Sequence, residues 1–172
     1  AKGESIDEQR VRYLITLVSE GNDHQVAQMA KDVVCITAKG KPIKAKTVGQ
    51  QNYMKAIQKN TVTIGVGPAG TGKTYLALAQ AMNLIAFHKF DRLIYIRNNI
   101  EVAGSKEIGH LPGTEVEKVL PYLMPLADHL GDISILNQYI EEGIIEPIHV
   151  GFLRGRSFNN SIIFVDEGEN LT

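Results

Sequence analysis

One octet, Gly67-Pro68-Ala69-Gly70-Thr71-Gly72-Lys73-Thr74, constrains the fold of this chain more than any other feature. It fits the pattern G-x-x-x-x-G-K-[ST] without a mismatch, and it lies between an apolar run at residues 62–66 and a helix-like stretch at 75–87. Small residues let the backbone curl so that successive N–H groups point inward and hold phosphate oxygens. The order of strand, phosphate loop and helix predicts a nucleotide-binding α/β fold in preference to a glycine-rich turn.

The octet also assigns roles to its last two side chains. Lys73 is expected to reach the β- and γ-phosphates of a nucleoside triphosphate, and the Thr74 hydroxyl to ligate Mg²⁺. A nucleoside triphosphate with Mg²⁺ is therefore the predicted ligand. The predicted nucleotide-binding residues are Gly67, Pro68, Ala69, Gly70, Thr71, Gly72, Lys73, Thr74 and Tyr75.

A second motif, Asp166-Glu167, closes a short apolar run that begins at Ser161. As a parallel strand, this run would deliver Asp166 to the carboxyl edge of the sheet, where the metal lies in α/β nucleotide sites. Glu167 is then placed to polarise a water for attack on the γ-phosphate. We expect Lys73, Asp166 and Glu167 to be the catalytic residues and Thr74 and Asp166 to be the metal ligands. The alternative is a buried strand followed by a solvated acidic turn.

Composition fits one globular domain without a global charge signal. The chain has 172 residues, 44% hydrophobic and 22% charged content, and a formal net charge of −1. Nucleic-acid binding would therefore need a local basic patch. The single cysteine, Cys35, excludes an internal disulfide and is expected in a buried strand. No apolar stretch approaches membrane-spanning length, so we expect no membrane contact. Nucleotide chemistry and a free thiol fit the reducing cytosol, so we expect a cytoplasmic location.

Hydrophobic periodicity predicts an accessory segment followed by the nucleotide-binding core. Residues 1–46 form the segment, with helices at 6–18 and 23–32, a strand at 33–37, a turn at 39–42 and an extended stretch at 43–46. The core, 47–172, has helices at 48–59, 75–87 and 133–142, and strands at 62–66, 91–97, 144–150 and 161–165. Residues 116–130 are helix-like, but Pro121 and Pro125 must kink or split that helix. Residues 98–113 form a long glycine-rich loop, and Pro147 suggests an edge strand.

Four further side chains are candidates for binding. Gln50 begins a helix shortly before the phosphate loop, and its amide can pair with N6 and N7 of adenine; an exposed helix glutamine is the alternative. Arg97 ends the second core strand, and Arg154 and Arg156 flank a glycine. These guanidiniums are candidate contacts to phosphate or to nucleic-acid backbone, although a solvated basic loop explains the last two equally well.

Several short motifs in addition to the phosphate loop resemble the PhoH family of P-loop ATPases. The similarity covers the chain from about residue 9 to its end. It is carried by the stretch 36–43, by Gly49-Gln50 with Tyr53, by the stretch 65–76, by Leu111-Pro112-Gly113, by Pro121-Tyr122-Leu123 with Pro125-Leu126, by Arg154-Gly155-Arg156 and by Asp166-Glu167. The phosphate loop is generic, whereas the Leu-Pro-Gly, Pro-Tyr-Leu and Arg-Gly-Arg motifs in that order are specific to the family.

The resemblance implies a RecA- or helicase-like core, a mostly parallel sheet with helices on both faces that follows a small helical and extended N-terminal segment. It also implies ATP hydrolysis with Mg²⁺, RNA or single-stranded nucleic acid as a partner, and a homo-oligomer, including a ring. Two departures bear on these expectations. Asn98 follows Arg97 where the family has proline, in a loop about two residues longer than usual, and Glu169 replaces a glutamine that senses the γ-phosphate.

Helicase-like ATPases place a further strand between the phosphate-loop strand and the Asp-Glu strand. That strand is expected after Thr172, which predicts that the chain is a truncated piece of a longer protein. The alternative is a rearranged sheet in which the strand before Asp166 lies directly beside the phosphate-loop strand.

Three functional hypotheses follow from these motifs. The first is an ATPase whose cycle acts on RNA or single-stranded DNA. The second is a nucleotide-gated assembly protein with little turnover, which the near-zero net charge and the altered loop at 98–110 favour slightly. The third is a small-molecule phosphotransferase, which is weakest because Glu167 suits water activation and no basic lid is evident.

Overall fold

The computed structural model describes residues 8–22, 24, 33–36, 42–97 and 120–168. Its helices are α1 (Glu8–Ser19), α2 (Val48–Lys59), α3 (Lys73–Ala86), α4 (Met124–Leu130) and α5 (Ile133–Glu141), with 3₁₀ turns at Leu120–Leu123 and Val150–Phe152. Its strands are β1 (Val33–Ile36), β2 (Pro42–Lys44), β3 (Arg92–Arg97), β4 (Ile145–His149) and β5 (Ser161–Asp166).

A parallel sheet in the order β4-β3-β5 forms the centre of the described fold. Leu93, Ile94, Tyr95 and Ile96 of β3 are all buried, as expected for a parallel strand covered on both faces. Arg97 pairs in register with Asp166, so β3 and β5 end together. The sheet register therefore brings the last side chains of two strands, far apart in sequence, to one carboxyl edge.

Each face of β3 packs in a different hydrophobic cluster. Leu93 and Tyr95 pack with residues of α3, α4 and α5, including Leu78, Leu126 and Leu136. Ile94 and Ile96 pack with Ile148 and with three side chains of the stretch that joins β4 to β5, which are Val150, Leu153 and Phe158. The parallel sheet with flanking helices confirms the predicted α/β class.

A smaller cluster ties the β1–β2 hairpin to the nucleotide-binding core. Ile43 of β2 packs with Met54 of α2 and with Leu76 and Ala79 of α3. The Tyr13 hydroxyl of α1 accepts a hydrogen bond of 3.0 Å from the backbone N–H of Val48. Helix α2 is therefore held between the N-terminal elements and the helix that follows the phosphate loop.

Most predicted elements in the described ranges are confirmed within two residues of their bounds. The prolines split the predicted helix 116–130 into a 3₁₀ turn and α4, with Pro125 in the first turn of α4. Gly143, at φ 72°, lies just after the end of α5 as predicted, and β4 with Pro147 lies at one edge of the described sheet. The predicted helix at 23–32, turn at 39–42, loop at 98–113 and Glu169 fall outside the described residues, apart from single positions.

The predicted strand at 62–66 is wrong for the structure as described. These residues have no strand assignment, and Val62, Ile64 and Val66 are 77%, 84% and 92% exposed. A β-strand needs backbone hydrogen bonds to a neighbouring strand. Among the described residues, no strand pairs with this segment. The described part of β5 pairs with β3 alone, so β5 is not hydrogen-bonded to the phosphate-loop segment.

No helix in the described ranges is long and apolar enough to cross a membrane.

His129 is a buried titratable group on α4. The residue is 3% exposed, its Nδ1 atom has no hydrogen-bond partner in the described part of the chain, and its ring lies edge-on to that of Tyr75 with the ring centres 6.3 Å apart. Burial lowers the pKa of His129 below its ordinary value, because the charged imidazolium loses its hydration inside the protein. The folded protein therefore holds this side chain neutral under conditions in which the unfolded chain binds a proton.

We predict that His129 makes the protein less stable as the pH falls. Below about pH 6.5, the unfolded state takes up a proton at this position that the folded state resists, so the free energy of unfolding decreases. His129→Phe keeps an aromatic ring against Tyr75 and removes the titration. Urea unfolding at pH 7.5 and at pH 5.5 should therefore show a smaller loss of stability in this variant than in the wild type.

His24→Gln provides the matched control, because His24 is exposed. It should lose as much stability as the wild type between the two pH values. An identical loss in the wild type and in His129→Phe would contradict the assignment of this pH dependence to His129.

Candidate nucleotide-binding site

The phosphate loop leaves the first turn of α3 open to an anion. Gly70 and Gly72 have φ values of 76° and 83°, in the left-handed region that residues with a Cβ rarely adopt. Gly72 is the residue that caps α3, and no side chain caps the helix there. The N–H groups of that first turn, which have no partner within the helix, and the positive end of the helix dipole therefore face the loop, which is the arrangement that binds phosphate.

Lys73 bonds to the loop itself in this structure. Its Nζ donates to the carbonyl oxygens of Gly67 at 2.7 Å and Pro68 at 2.8 Å, and the Thr71 hydroxyl donates to the Pro68 oxygen at 2.9 Å. The ammonium has three donors. The Lys73 ammonium therefore already lies at the loop, where it could bond to a phosphate held there.

Thr74 contacts Asp166, 92 positions away in sequence. The Thr74 hydroxyl donates to Oδ1 of Asp166 at 3.1 Å. Both are hard oxygen ligands of the kind that Mg²⁺ takes together with phosphate oxygens and water. The described residues contain no cluster of three or more His, Cys, Asp or Glu side chains that could hold a metal by themselves. The donor set therefore fits a magnesium ion carried by a triphosphate.

Asp166 is buried, and its other oxygen is also bonded. Oδ2 accepts from the Tyr95 hydroxyl at 2.8 Å and from the Arg97 guanidinium at 2.8 Å. Tyr95 also lies 3.3 Å from the Tyr122 carbonyl, but its single proton favours the shorter bond to the charged acceptor. Burial, and then the bond to Asp166, raise the pKa of Tyr95 well above its ordinary value, so the hydroxyl remains a donor at neutral pH.

The pKa of Arg97 is raised overall. Burial alone lowers it, but the hydrogen bond to Tyr95 and the negative charges of Asp166 and Glu167 outweigh that effect. The guanidinium lies 4.1 Å from the centre of the Tyr122 ring. Sequence reasoning proposed Arg97 as a nucleic-acid contact; the structure places it on the predicted metal ligand, and nucleic-acid contact stays a prediction.

Glu167 is exposed and adopts a strained backbone at the end of β5. Its φ of 53° is unusual for a residue that carries a Cβ, and such strain costs roughly 1–3 kcal/mol. Strained backbone of this kind is concentrated at functional sites, where the surrounding structure maintains it. Glu167 directly follows Asp166 in the chain, and its negative charge acts on the Arg97 guanidinium that bonds to Asp166.

Gln50 contacts the phosphate loop. Its Nε2 donates to the Thr71 carbonyl at 3.0 Å, and its Oε1 accepts from the Lys46 backbone N–H at 2.7 Å. The backbone N–H of Gln50 in turn donates to Thr47, which caps α2. An adenine would need an N–H donor and the acceptor oxygen of this amide, and one N–H and one lone pair of it are already bonded within the protein. The structure therefore presents Gln50 as a brace on the loop, and adenine reading stays a prediction.

The other two arginines lie apart from this network. Arg156 donates to Glu146 at 2.6 Å and lies 5.0 Å from the centre of the Phe158 ring, whereas Arg154 is exposed.

A separate cavity of about 440 Å³ lies between β2, α3 and the turn from α4 to α5, and His129 and Tyr75 are among its lining residues. No residue of the phosphate octet lines that cavity, and residues 67–71 of the octet are exposed.

Comparison with known proteins identifies the family to which this chain belongs. A sequence model of the PhoH-like protein family matches residues 42–172, which is most of the chain. This chain belongs to the PhoH-like family. PhoH-like proteins of Mycobacterium tuberculosis and Bacillus subtilis are 39% and 37% identical to it over 100% and 99% of the chain. Protein PhoH of Escherichia coli is 33% identical over 76% of the chain.

The family assignment carries a P-loop, nucleotide-binding character with it. The chain spans about half the length of the PhoH-like proteins it matches, with 49% of the M. tuberculosis protein and 54% of the B. subtilis protein covered. The activity of a whole PhoH-like protein is therefore a proposal for this chain.

Sequence reasoning missed Tyr95. Residues two apart on a strand share a face, so Tyr95 lies on the same side of β3 as Arg97, and Arg97 is in register with Asp166. The sequence signal was therefore a phenol two positions before an arginine at the end of a strand.

We predict that Gln50→Ala weakens binding of any nucleoside triphosphate by about 2- to 10-fold, the range expected for a single lost hydrogen bond. The reason is that the lost bond steadies the loop without touching a base. Calorimetric titration with ATP and with GTP should show the same loss for both nucleotides. A loss for ATP alone would show instead that the amide reads adenine.

Gln58→Ala is the matched control for that experiment. Gln58 is an exposed glutamine on the same helix. Its substitution should leave both affinities unchanged.

Proposed function

We propose that this chain binds ATP with Mg²⁺ and hydrolyses it. The single observation that supports this function best is the 3.1 Å contact between Thr74 and Asp166. It places the hydroxyl at the end of the phosphate loop beside a carboxylate at the carboxyl edge of the sheet. Phosphoryl transfer needs these two parts close together, because both would hold the metal ion whose positive charge stabilises the reacting phosphates.

In the proposed mechanism, the open turn of α3 holds the β- and γ-phosphates, and Lys73 exchanges its bonds to the loop carbonyls for phosphate oxygens. Thr74 and Asp166 would hold Mg²⁺, which would supply positive charge against the negative charge that develops on the phosphates. Glu167 accepts the proton of the attacking water. A carboxylate at this place favours transfer to water over transfer to a small acceptor.

We propose that the cycle is coupled to RNA or single-stranded nucleic acid. The support is the family resemblance together with the exposed Arg154, which lies in the loop that leads from β4 to β5. A guanidinium in an exposed loop can bond a phosphodiester without losing an existing partner in the protein. Arg97 and Arg156 are less suited to this role, because each is already ion-paired with a carboxylate.

A nucleotide-gated assembly is the second candidate. The exposed apolar side chains of Val62, Ile64 and Val66 lie directly before the phosphate loop, so a bound nucleotide is well placed to alter association through them. Sedimentation velocity with and without Mg²⁺·ATP tests this reading. A nucleotide-dependent change of mass combined with negligible turnover would favour it over the ATPase.

We predict that Lys73→Ala abolishes ATP binding, whereas Glu167→Gln keeps binding and lowers the turnover rate by about 10²- to 10⁴-fold. The reason is that Lys73 contributes to binding of the triphosphate, whereas the Glu167 carboxylate acts only on the attacking water. Calorimetry measures the binding and phosphate release measures the turnover. Retained turnover in Glu167→Gln would exclude Glu167 as the base.

Lys59→Ala and Glu141→Gln are matched controls, because both side chains are exposed and neither belongs to the site. Both should behave like the wild type.

We also predict that single-stranded RNA raises the rate of phosphate release and that Arg154→Gln reduces this stimulation without changing the basal rate. Arg12→Gln, at an exposed position of α1, is the control. Turnover that is indifferent to RNA would contradict the coupling and leave the hydrolytic activity in place.

A further inference from the structure

The two carboxylate oxygens of Asp166 have different hydrogen-bond partners in this structure. Oδ2 accepts from Tyr95 and Arg97, each at 2.8 Å, so both of its lone-pair positions are filled. Among the described residues, Oδ1 accepts from Thr74 alone, at 3.1 Å. An incoming cation therefore finds room at Oδ1, on the side of the phosphate loop, and none at Oδ2.

The two donors to Oδ2 are themselves held in place. Tyr95 is fully buried in the main core, and its ring packs against Phe164 of β5 with the ring centres 5.6 Å apart. The Arg97 guanidinium lies 4.1 Å from the centre of the Tyr122 ring, and its side chain is 24% exposed. The Asp166 side chain is only 9% exposed, so water replaces neither bond easily.

We propose that Tyr95 and Arg97 are positioning residues, which hold Oδ2 so that Oδ1 of Asp166 is presented to a divalent cation beside Thr74. This inference rests on the proposed function, because it concerns the same metal site. Hydrogen bonds to a ligand from outside the coordination shell fix the ligand's orientation. Their loss typically weakens metal binding by about 10- to 100-fold.

The opposite role for Arg97 would be competition, in which the guanidinium occupies the carboxylate and must leave before the metal binds. The geometry argues against it, because Arg97 bonds to Oδ2 whereas Thr74 lies at Oδ1. The two roles predict opposite signs. Removing a brace weakens metal binding, and removing a competitor strengthens it.

The test measures metal binding without turnover. The affinity for a non-hydrolysable ATP analogue is measured in Mn²⁺ and again in EDTA, and the ratio of the two affinities gives the metal enhancement. We expect Tyr95→Phe and Arg97→Gln each to reduce the enhancement by about 10-fold or more, with the affinity in EDTA unchanged. The electron paramagnetic resonance spectrum of the bound Mn²⁺ reports directly on its ligand geometry and should change in both variants.

Arg92→Gln is the matched control. Arg92 is the first residue of the same strand and donates to Glu146 and Ser161, at the end opposite to Asp166. Its loss should leave the enhancement and the spectrum unchanged. Tyr95→Phe removes one oxygen atom and keeps the ring in the core. It therefore tests the proposal by itself should Arg97→Gln fail to fold.

Asp166→Asn separates the failure of this inference from the failure of the proposed function. If this variant keeps the full enhancement, Asp166 is not a metal ligand and the proposed function loses its metal site. If Asp166→Asn loses the enhancement while Tyr95→Phe and Arg97→Gln keep it, the metal site stands and the brace is overturned. A higher enhancement in Arg97→Gln overturns the brace in favour of competition.

Discussion

The site depends on one buried carboxylate. Asp166 is 7% exposed and is satisfied by donors from three directions: Thr74 of α3, and Tyr95 and Arg97 of β3. A buried charge without partners is costly, so these bonds are needed for folding as well as for binding. They also fix α3 against the sheet edge, which sets the position of the phosphate loop relative to the strands.

The structure around this carboxylate is prepared for a ligand. The first turn of α3 has no side-chain cap, Lys73 bonds to carbonyl groups of its own loop, and Glu167 retains a left-handed backbone. The uncapped turn and Lys73 can each bond to phosphate oxygens of a triphosphate. The strained backbone of Glu167 has an energetic cost that is typical of functional sites. Gln50 of α2 bonds to the Thr71 carbonyl, so the loop is tied to α2 as well as continuing into α3.

The sequence was sufficient to predict the parts whose signal is local. The phosphate loop is recognisable from its own residues, and α2, β3 and β5 have clear periodicity, so their positions were predicted closely. The Thr74–Asp166 contact was also predictable, because parallel strands deliver their carboxyl ends to one edge of the sheet.

Features that depend on neighbours could not be read from the residues alone. Tyr95 and Arg97 act on Asp166 only because β3 and β5 pair in register with Arg97 opposite Asp166. Gln50 bonds to Thr71 because α2 and α3 pack together, and its own sequence context shows only an amide on a helix. The apolar run at 62–66 reads as a strand, but strand formation needs a partner, which the described residues do not provide.

The central claim is that Thr74 and Asp166 act on one cation, and a double-mutant cycle tests it most directly. Mg²⁺·ATP affinity is measured for the wild type, Thr74→Val, Asp166→Asn and the double variant. If both side chains hold the same metal, the double variant should be little worse than the weaker single variant, with a coupling energy of about 0.5–3 kcal/mol. Losses that add to within roughly 0.5 kcal/mol would show that the two residues act independently, and would contradict a shared metal site.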